Sequence, residues 1–439
     1  MSKQRPKNDQ EHERVSDPWF TPYRHPTSDN GWLLVSSALD DLEQHQKRKR
    51  ARKAKDRHWL WEVVTALISD LTHHHLDESP GSGLVVPRSN RTLGKKSRYH
   101  APIFTRTFPG MLDDLQTLGY LKQTKGAYSV IPGRLKRTTI RAGVRLIGLI
   151  EKHQITFADL RTEATDEVIV LKRPKRAYWD KGEPIEYEDT EATKQLRRDV
   201  EDINSWLAKA DITFDTSALN QSVDVRARRL YRYFAGDFKS GGRLFRGFWQ
   251  NLPKPGRLLG LRIEGEGVVE LDYSQLNPTL AYAKVGCSPP PGDAYTLPGF
   301  EKSRDGVKRV FNALLFDKKP RKRFPKDEKV AFPPTTKIRD VIEAIQEKHP
   351  MLQSVLSTGV GFHLMFLESE IMMRVLEGLR HYAIVGLPIF DGIIVRASDA
   401  ETAKAVMKEQ LKKATGLEIE VRLEQALVTQ APPGKRTIS

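Results

Sequence analysis

Apolar residues recur at helical spacing between His58 and His75. Trp59, Val63, Ala66, Leu67 and Leu71 lie three or four positions apart, which predicts a helix with one buried stripe. His73, His74 and His75 are consecutive, so on a helix they point in different directions and mark its end rather than a metal site. Met111, Leu112, Leu115 and Leu118 predict a second helix within FTRTFPGMLDDLQTLGYLKQ. The text after it, KGAYSVIPGRLKRTTIRAG, reads as two short strands around Pro132-Gly133. DEVIVL at 167–172 predicts a strand, and Leu196, Val200, Ile203 and Leu207 give one face to a helix over 189–209. Residues 1–56 are polar and patchy, which predicts a poorly ordered segment outside a short helix near Trp32–Gln46.

The second half has shorter periods. Val268, Val269, Glu270 and Leu271 predict a strand that ends at Asp272. Leu387 to Phe390 predict another, and Ile393 to Val395 continue beyond Asp391-Gly392, a dipeptide that marks a hairpin tip. If that hairpin pairs beside the first strand, Asp272 and Asp391 meet at one end of a sheet. Arg304, Lys308, Asn312 and Phe316 are spaced four apart, so a helix would show them on one face. Glu368 and Glu370 fall in FHLMFLESEIMMRVLEGL, a helix on which Glu368, flanked by Leu364, Leu367 and Ile371, faces inward, as a structural carboxylate or, in the alternative, as one that approaches the aspartate pair.

Charge adds a partner class. The 439 residues hold 72 Lys+Arg and 56 Asp+Glu, a formal +16, and residues 51–150 alone hold 17 Lys/Arg against 7 Asp/Glu. A polyanion is the expected partner, nucleic acid before an anionic membrane surface. The excess is broken into segments, namely KRKRARKAKDR from Lys47, LKRPKRAYWDKGEP as a linker, and a proline-broken loop FDKKPRKRFPKDEKVAFPP. Separate basic segments suit several contacts along a polymer. The one cysteine, Cys287, excludes an intrachain disulfide and any cysteine-rich zinc site. With no apolar leader and no run of 18 apolar residues, a cytoplasmic protein without a membrane partner is expected.

The candidate chemistry follows from the two aspartates. Paired carboxylates can hold two Mg²⁺ ions roughly 4 Å apart, one activating a hydroxyl and the other stabilising a pyrophosphate leaving group. A helix face carrying Arg304 and Lys308 opposite them suits a triphosphate. In the first half, a helix followed by a basic hairpin is similar to a winged helix-turn-helix. Lys122, Lys125, Arg134, Lys136, Arg137 and Arg141 would then contact phosphates, and an ordinary basic surface is the alternative.

Taken together, five segments in order resemble the DNA polymerase I family. They are GGRLFRGFWQNLP, LDYSQLNPTLAYA, GDAYT, Arg304-x-x-x-Lys308-x-x-x-Asn312-x-x-x-Phe316, and IFDGIIV. They correspond to the family's duplex-contacting segment, its motif A (Asp-Tyr-Ser-Gln), the opening of its fingers, motif B and motif C. The resemblance covers about Gly241 to Leu427. It implies an α+β fold, a polymerase palm built on an antiparallel sheet with short helical fingers, preceded by a mainly α, winged-helix-like domain. The domains implied are 1–56 as a basic segment, 57–155 as the winged-helix-like domain, 156–235 as a linker and thumb-like region, and 236–439 as the palm, with fingers at about 287–383. Asp272, Asp391 and, through its backbone carbonyl, Tyr273 would bind the metal. Arg304, Lys308, Asn312, Phe316, Asn277 and Gln275 would line the nucleotide, with Lys308 also assisting departure of pyrophosphate. Arg243, Gln250 and Asn251 would contact the primer–template duplex.

The departures from the family pattern fall at informative places. Asn277 replaces the glutamate that excludes a ribose 2′-hydroxyl, Phe316 replaces its tyrosine partner, and Asn312 replaces the phenylalanine beside the sugar. Motif C reads Phe390-Asp391-Gly392, without the family's histidine and second acid. Asp272 and Asp391 are only 119 positions apart, which abbreviates the fingers. The expected activity is DNA-directed DNA synthesis in replication of a plasmid, phage or mobile element, with DNA and nucleoside triphosphates as partners. The alternatives are a ribonucleotide-accepting, primase-like enzyme, a non-catalytic DNA-binding initiator on a degenerate palm, and a two-metal nuclease.

Overall fold

The computed structural model describes residues 18–77, 83–93, 97–126, 137–162, 167–174, 182–219, 223–325 and 328–425. The chain divides into two compact units, Met1–Glu167 with Asn220–Asp224, and Val168–Leu219 with Val225–Ser439. Both mix helices with mostly antiparallel strands, so the fold is α+β.

The first unit runs β1 (Arg24–Pro26), α1 (Asp29–Gln46), α2 (Ala54–Leu76), β2 (Leu84–Val85), a single turn α3 (Asn90–Leu93), α4 (Phe108–Thr117), β3 (Leu121–Thr124), β4 (Thr139–Ala142), α5 (Val144–Lys152) and β5 (Leu160–Thr162). Strands β2, β4 and β3 form one sheet with β4 in the middle, and β1 pairs with β5. The stripe read in the sequence is buried, with Val63, Ala66, Leu67 and Leu71 of α2 meeting Leu112 and Leu115 of α4 and Ile140 of β4. The expectation for residues 1–56 needs correcting. The helix expected near Trp32–Gln46 is α1, and the correction is that it is not set in a loose segment, because Phe20, Leu34, Val35, Ala38 and Leu42 join the same core. The turn at Pro132-Gly133 lies outside the described residues, although β3 and β4 do pair antiparallel on either side of it.

The second unit runs β6 (Ile169–Lys172), α6 (Glu191–Lys209), β7 (Ile212–Phe214), β8 (Tyr231–Ala235), β9 (Asp237–Phe245), α7 (Lys254–Gly260), β10 (Leu261–Ile263), β11 (Glu266–Tyr273), α8 (Leu276–Lys284), α9 (Arg304–Phe316), α10 (Ile338–Lys348), α11 (Gly361–His381), β12 (Leu387–Ile389), β13 (Gly392–Arg396), α12 (Ala400–Thr415) and β14 (Val421–Glu424). The start of LKRPKRAYWDKGEP, expected to be linker, is strand. Leu171 and Lys172 pair with Phe234 and Ala235. A six-stranded sheet follows the order β12-β13-β11-β10-β7, with β14 also on β11. A three-stranded sheet, β6-β8-β9, carries a bulge where Tyr233 faces Arg243 but Phe234 faces Gly241. Gly241 and Gly242 both have left-handed φ, 83° and 88°, which is what lets the strand step out of register there. The bulge leaves Arg243 facing the long helix α11.

Candidate functional site

Alternation along β11 sets the site. Leu271 and Tyr273 turn one way into buried surroundings, and the Tyr273 hydroxyl donates to the Met407 carbonyl at 2.6 Å. Glu270 and Asp272 therefore turn the other way together. β13 pairs with β11 in the register Asp272↔Gly392, which sets Asp391 at the corner beside Asp272. The hairpin tip is one residue earlier than its Asp-Gly dipeptide suggests. Ile389 pairs with Gly392, so Phe390 and Asp391 make the turn, and Phe390 takes a left-handed φ of 56° that a bulky residue adopts only under constraint. Gly392 is needed for a different reason. A Cβ there would collide with Asp272 Oδ1 and lie 2.9 Å from the Leu271 carbonyl.

The acidic cluster is larger than two residues. Glu270 is buried and accepts from Arg257 Nη2 at 2.7 Å and from Lys254 Nζ at 3.0 Å. Lys254 also pairs with Glu424 and lies 3.7 Å from Asp272. Burial first, then the charges of Glu270 and Asp391, push the Asp272 carboxyl up to about 6, with Lys254 pulling the other way. Burial would lower the Lys254 ammonium, but its bonds to Glu424 and Glu270 hold it above its ordinary range. Sequence reading missed Lys254, Arg257 and Glu424. Only Glu270 carried a signal, its place two residues before Asp272 on a strand.

Helix α9 buries Val307, Val310, Phe311 and Leu314, which leaves Arg304, Lys308, Asn312 and Phe316 along the open face as the spacing predicts. Arg304 Cζ and Lys308 Nζ lie 5.5 and 6.0 Å from the centre of the Tyr295 ring. The Tyr295 hydroxyl is pushed up by burial and by Asp293, and Asp391 adds to it. One aromatic side chain thus feels both the cationic helix face and the carboxylate corner. The GDAYT segment that carries Tyr295 is clamped in place. Gln275 Oε1 accepts from Ala294 N at 2.5 Å, and Asp293 Oδ2 accepts from Arg304 Nε and Nη2 at 2.9 and 2.5 Å. Buried His349 holds it from behind, with Nε2 donating to the Ala294 carbonyl at 2.9 Å and Nδ1 accepting from Tyr282 Oη at 3.0 Å.

Asn277 and Asn312 also meet, with Asn277 Nδ2 donating to Asn312 Oδ1 at 3.1 Å. Phe316 packs edge-on against Phe362, 5.2 Å between ring centres. Arg243 Nε and Nη2 donate to the two oxygens of buried Glu368 at 2.6 and 2.7 Å, and its guanidinium lies 5.4 Å from the Phe390 ring. Burial would lower Arg243, but Glu368, and after it Asp391, carry its affinity for the proton above the ordinary value. Gln250 is engaged within the protein. Its Nε2 donates to the Leu244 and Pro388 carbonyls at 3.1 and 3.0 Å and its Oε1 is buried, so its side chain braces the β12 strand. Asn251, next to it, is exposed.

In the first unit, Arg137 is exposed and its Cζ stands 4.7 Å from the centre of the Trp19 ring. Lys122, Lys125 and Arg141 lie on or beside β3 and β4, while Arg134 and Lys136 fall outside the described residues.

Whether the corner fits a divalent ion can be judged from its donors. Among the described residues no three His, Cys, Asp or Glu side chains converge on a metal-sized site. Asp272 and Asp391 supply hard oxygen donors at an open strand end, and their mutual repulsion is the kind a cation relieves. Mg²⁺ takes one or two carboxylates and completes its shell with water and phosphate oxygens, so the pair fits that ion.

No protein-family model matches the sequence, and a search of curated proteins finds no match. Among solved structures, the chain is similar to the POL domain of Pol1 from M. smegmatis in complex with DNA primer-template and dNTP. The identity is 11% and the TM-score 0.28, over 90% of this chain and 68% of that one. A likeness of that size does not fix the fold. Among the described residues no helix is long and apolar enough to cross a membrane.

Proposed function

We propose that this chain is a template-directed nucleotidyltransferase, a DNA-directed DNA polymerase that extends a primer. The observation that carries the reading is the Asp272↔Gly392 register, which brings Asp272 and Asp391 to one open corner near a helix face bearing Arg304 and Lys308. Asp272 and Asp391 would hold Mg²⁺, which supplies charge stabilisation at the reacting phosphate and a more acidic primer hydroxyl. Lys308, exposed and without an ion pair among the described residues, would meet triphosphate oxygens and neutralise departing pyrophosphate. Arg304 can do the same only by sharing its guanidinium with Asp293, so nucleotide arrival competes with that clamp. Arg243 is fixed by Glu368, and it can contact a duplex only through the edge its carboxylate leaves open.

The first unit is read here as the DNA-holding, winged-helix-like domain. Its order α2, β2, α3, α4, β3, β4, with β2 and β3 flanking β4, supports that reading. One observation favours a ribonucleotide-tolerant variant. Asn277 is bound to Asn312 rather than to a bulky partner, so two small amides stand where a sugar would be screened.

Primer extension tests both. Wild type should incorporate dNTPs with Mg²⁺, and Asp272→Ala and Asp391→Ala should each cut incorporation by about a thousandfold or more. Unchanged incorporation by both variants would refute the polymerase. A strong preference of wild type for dNTPs over rNTPs would refute the tolerant variant alone.

A further inference from the structure

Trp61 has no place in the core of the first unit. The stripe of α2 is complete with Trp59, Leu60, Val63, Val64 and Leu67, and Trp61 lies off it with 38% of its surface exposed. It is not loose, because its ring is nearly parallel to that of Trp32, with centres 5.5 Å apart and planes at 16°. His58, on the turn before, continues the column at 6.4 Å and 13°, and its side chain is 68% exposed. His25 leans against Trp61 at 6.5 Å. The result is a short pile of flat rings whose outer side is open to solvent.

The charge around it is one-sided. Lys53, Arg57 and Trp61 are spaced four apart across the start of α2, so they share a face. Upstream, Lys47, Arg48, Lys49 and Arg50 are exposed, as are Lys53, Lys55 and Arg57. Arg52 is spent on Glu43 and Gln46. Glu62, 3.2 Å from His58, and Asp56 are the acids beside the column.

We propose that this surface binds single-stranded nucleic acid, with a base stacked on the Trp61–His58 edge and the flanking phosphates on the Lys47–Arg57 run. The ring faces need unpaired bases, because bases within a duplex already cover one another. The cations supply the complementary charge for a backbone that tracks past the rings. An anionic membrane would also attract the cations. It would also need a wider apolar face, and between Arg24 and Leu76 Leu33 is the only large aliphatic side chain left exposed. The inference stands apart from the aspartate corner, which lies in the other unit.

The test is fluorescence anisotropy with labelled oligo(dT), an abasic strand of equal length, and full-length protein. Trp61→Leu keeps an apolar cover on Trp32, and its far-UV spectrum and melting point should match wild type. It should bind oligo(dT) about tenfold more weakly and the abasic strand as well as wild type does. Trp61→Phe, which restores a ring face, should recover most of the loss. Arg57→Ala should flatten the salt dependence by about 0.7 on the logarithmic slope. Equal binding of oligo(dT) by Trp61→Leu and wild type would overturn the proposal, as would an equal loss on both strands. So would binding to phosphatidylserine vesicles that needs Trp61 while oligo(dT) binding does not.

Discussion

Asp272 is placed where its charge costs the fold. Its carboxyl is raised from 3.8 to about 6 by burial and by Glu270 and Asp391. Two units correspond to about 3 kcal/mol, and the 29% exposure of its side chain trims this to about 2–3 kcal/mol. The sign follows from proton uptake. Below about pH 3.8 the group is protonated in both the folded and unfolded chain, and it contributes nothing. Between about 3.8 and 6 the folded chain holds the extra proton, so stability falls as pH rises. Above about 6 the whole penalty is present. Asp272→Asn should therefore stabilise the second unit by about 2–3 kcal/mol near pH 8, by little near pH 4, and abolish primer extension. Urea denaturation of wild type and variant at both pH values measures the difference. A destabilised variant at pH 8, or a gain of the same size at pH 4, would show that the corner is not electrostatically strained.

Two further outcomes follow from the geometry. Gly392→Ala displaces the Asp272 carboxylate without touching either acid, so kcat/KM for dNTP incorporation should fall about a hundredfold while the melting point drops by only a few degrees. Activity within threefold of wild type would mean that Asp272 does not need its present position. Glu368→Gln leaves Arg243 beside a neutral partner and should cost about 2–3 kcal/mol in urea denaturation, less than a fully buried pair because Arg243 keeps a quarter of its side chain in water. A change under about 0.5 kcal/mol would show the pair to be inert.

Much of the corner was legible in the sequence because it rests on local rules. A strand of alternating faces ends at Asp272, a hairpin turns at Asp391, and a four-residue repeat lines one side of α9. What could not be read depends on pairing between distant segments. Glu424 reaches the cluster only because β14 returns to β11 after α12, and Lys254 only because α7 packs on that strand. The inward turn of Gln250 depends on the carbonyl of Pro388, far along the chain. The Asn277–Asn312 bond joins side chains of α8 and α9 that lie 35 positions apart, which no local spacing encodes. In the first unit the helix near Trp32–Gln46 was legible, but not that its Leu34, Val35, Ala38 and Leu42 belong to the same core as α2, which depends on packing between the two helices.

Lys254 gives the acidic corner a counter-ion that cannot diffuse away. Its ammonium sits among Glu270, Asp272 and Glu424, with Arg257 completing the balance at Glu270. The carboxylates are therefore held together before any dissolved cation arrives, and a bound ion would add to stability without being required for folding. A chelator would silence such a protein without unfolding it, and returning the ion would restore activity at the speed of binding rather than of refolding. The same tether sets a threshold, because an arriving ion must take Asp272 from a charge already covalently in place.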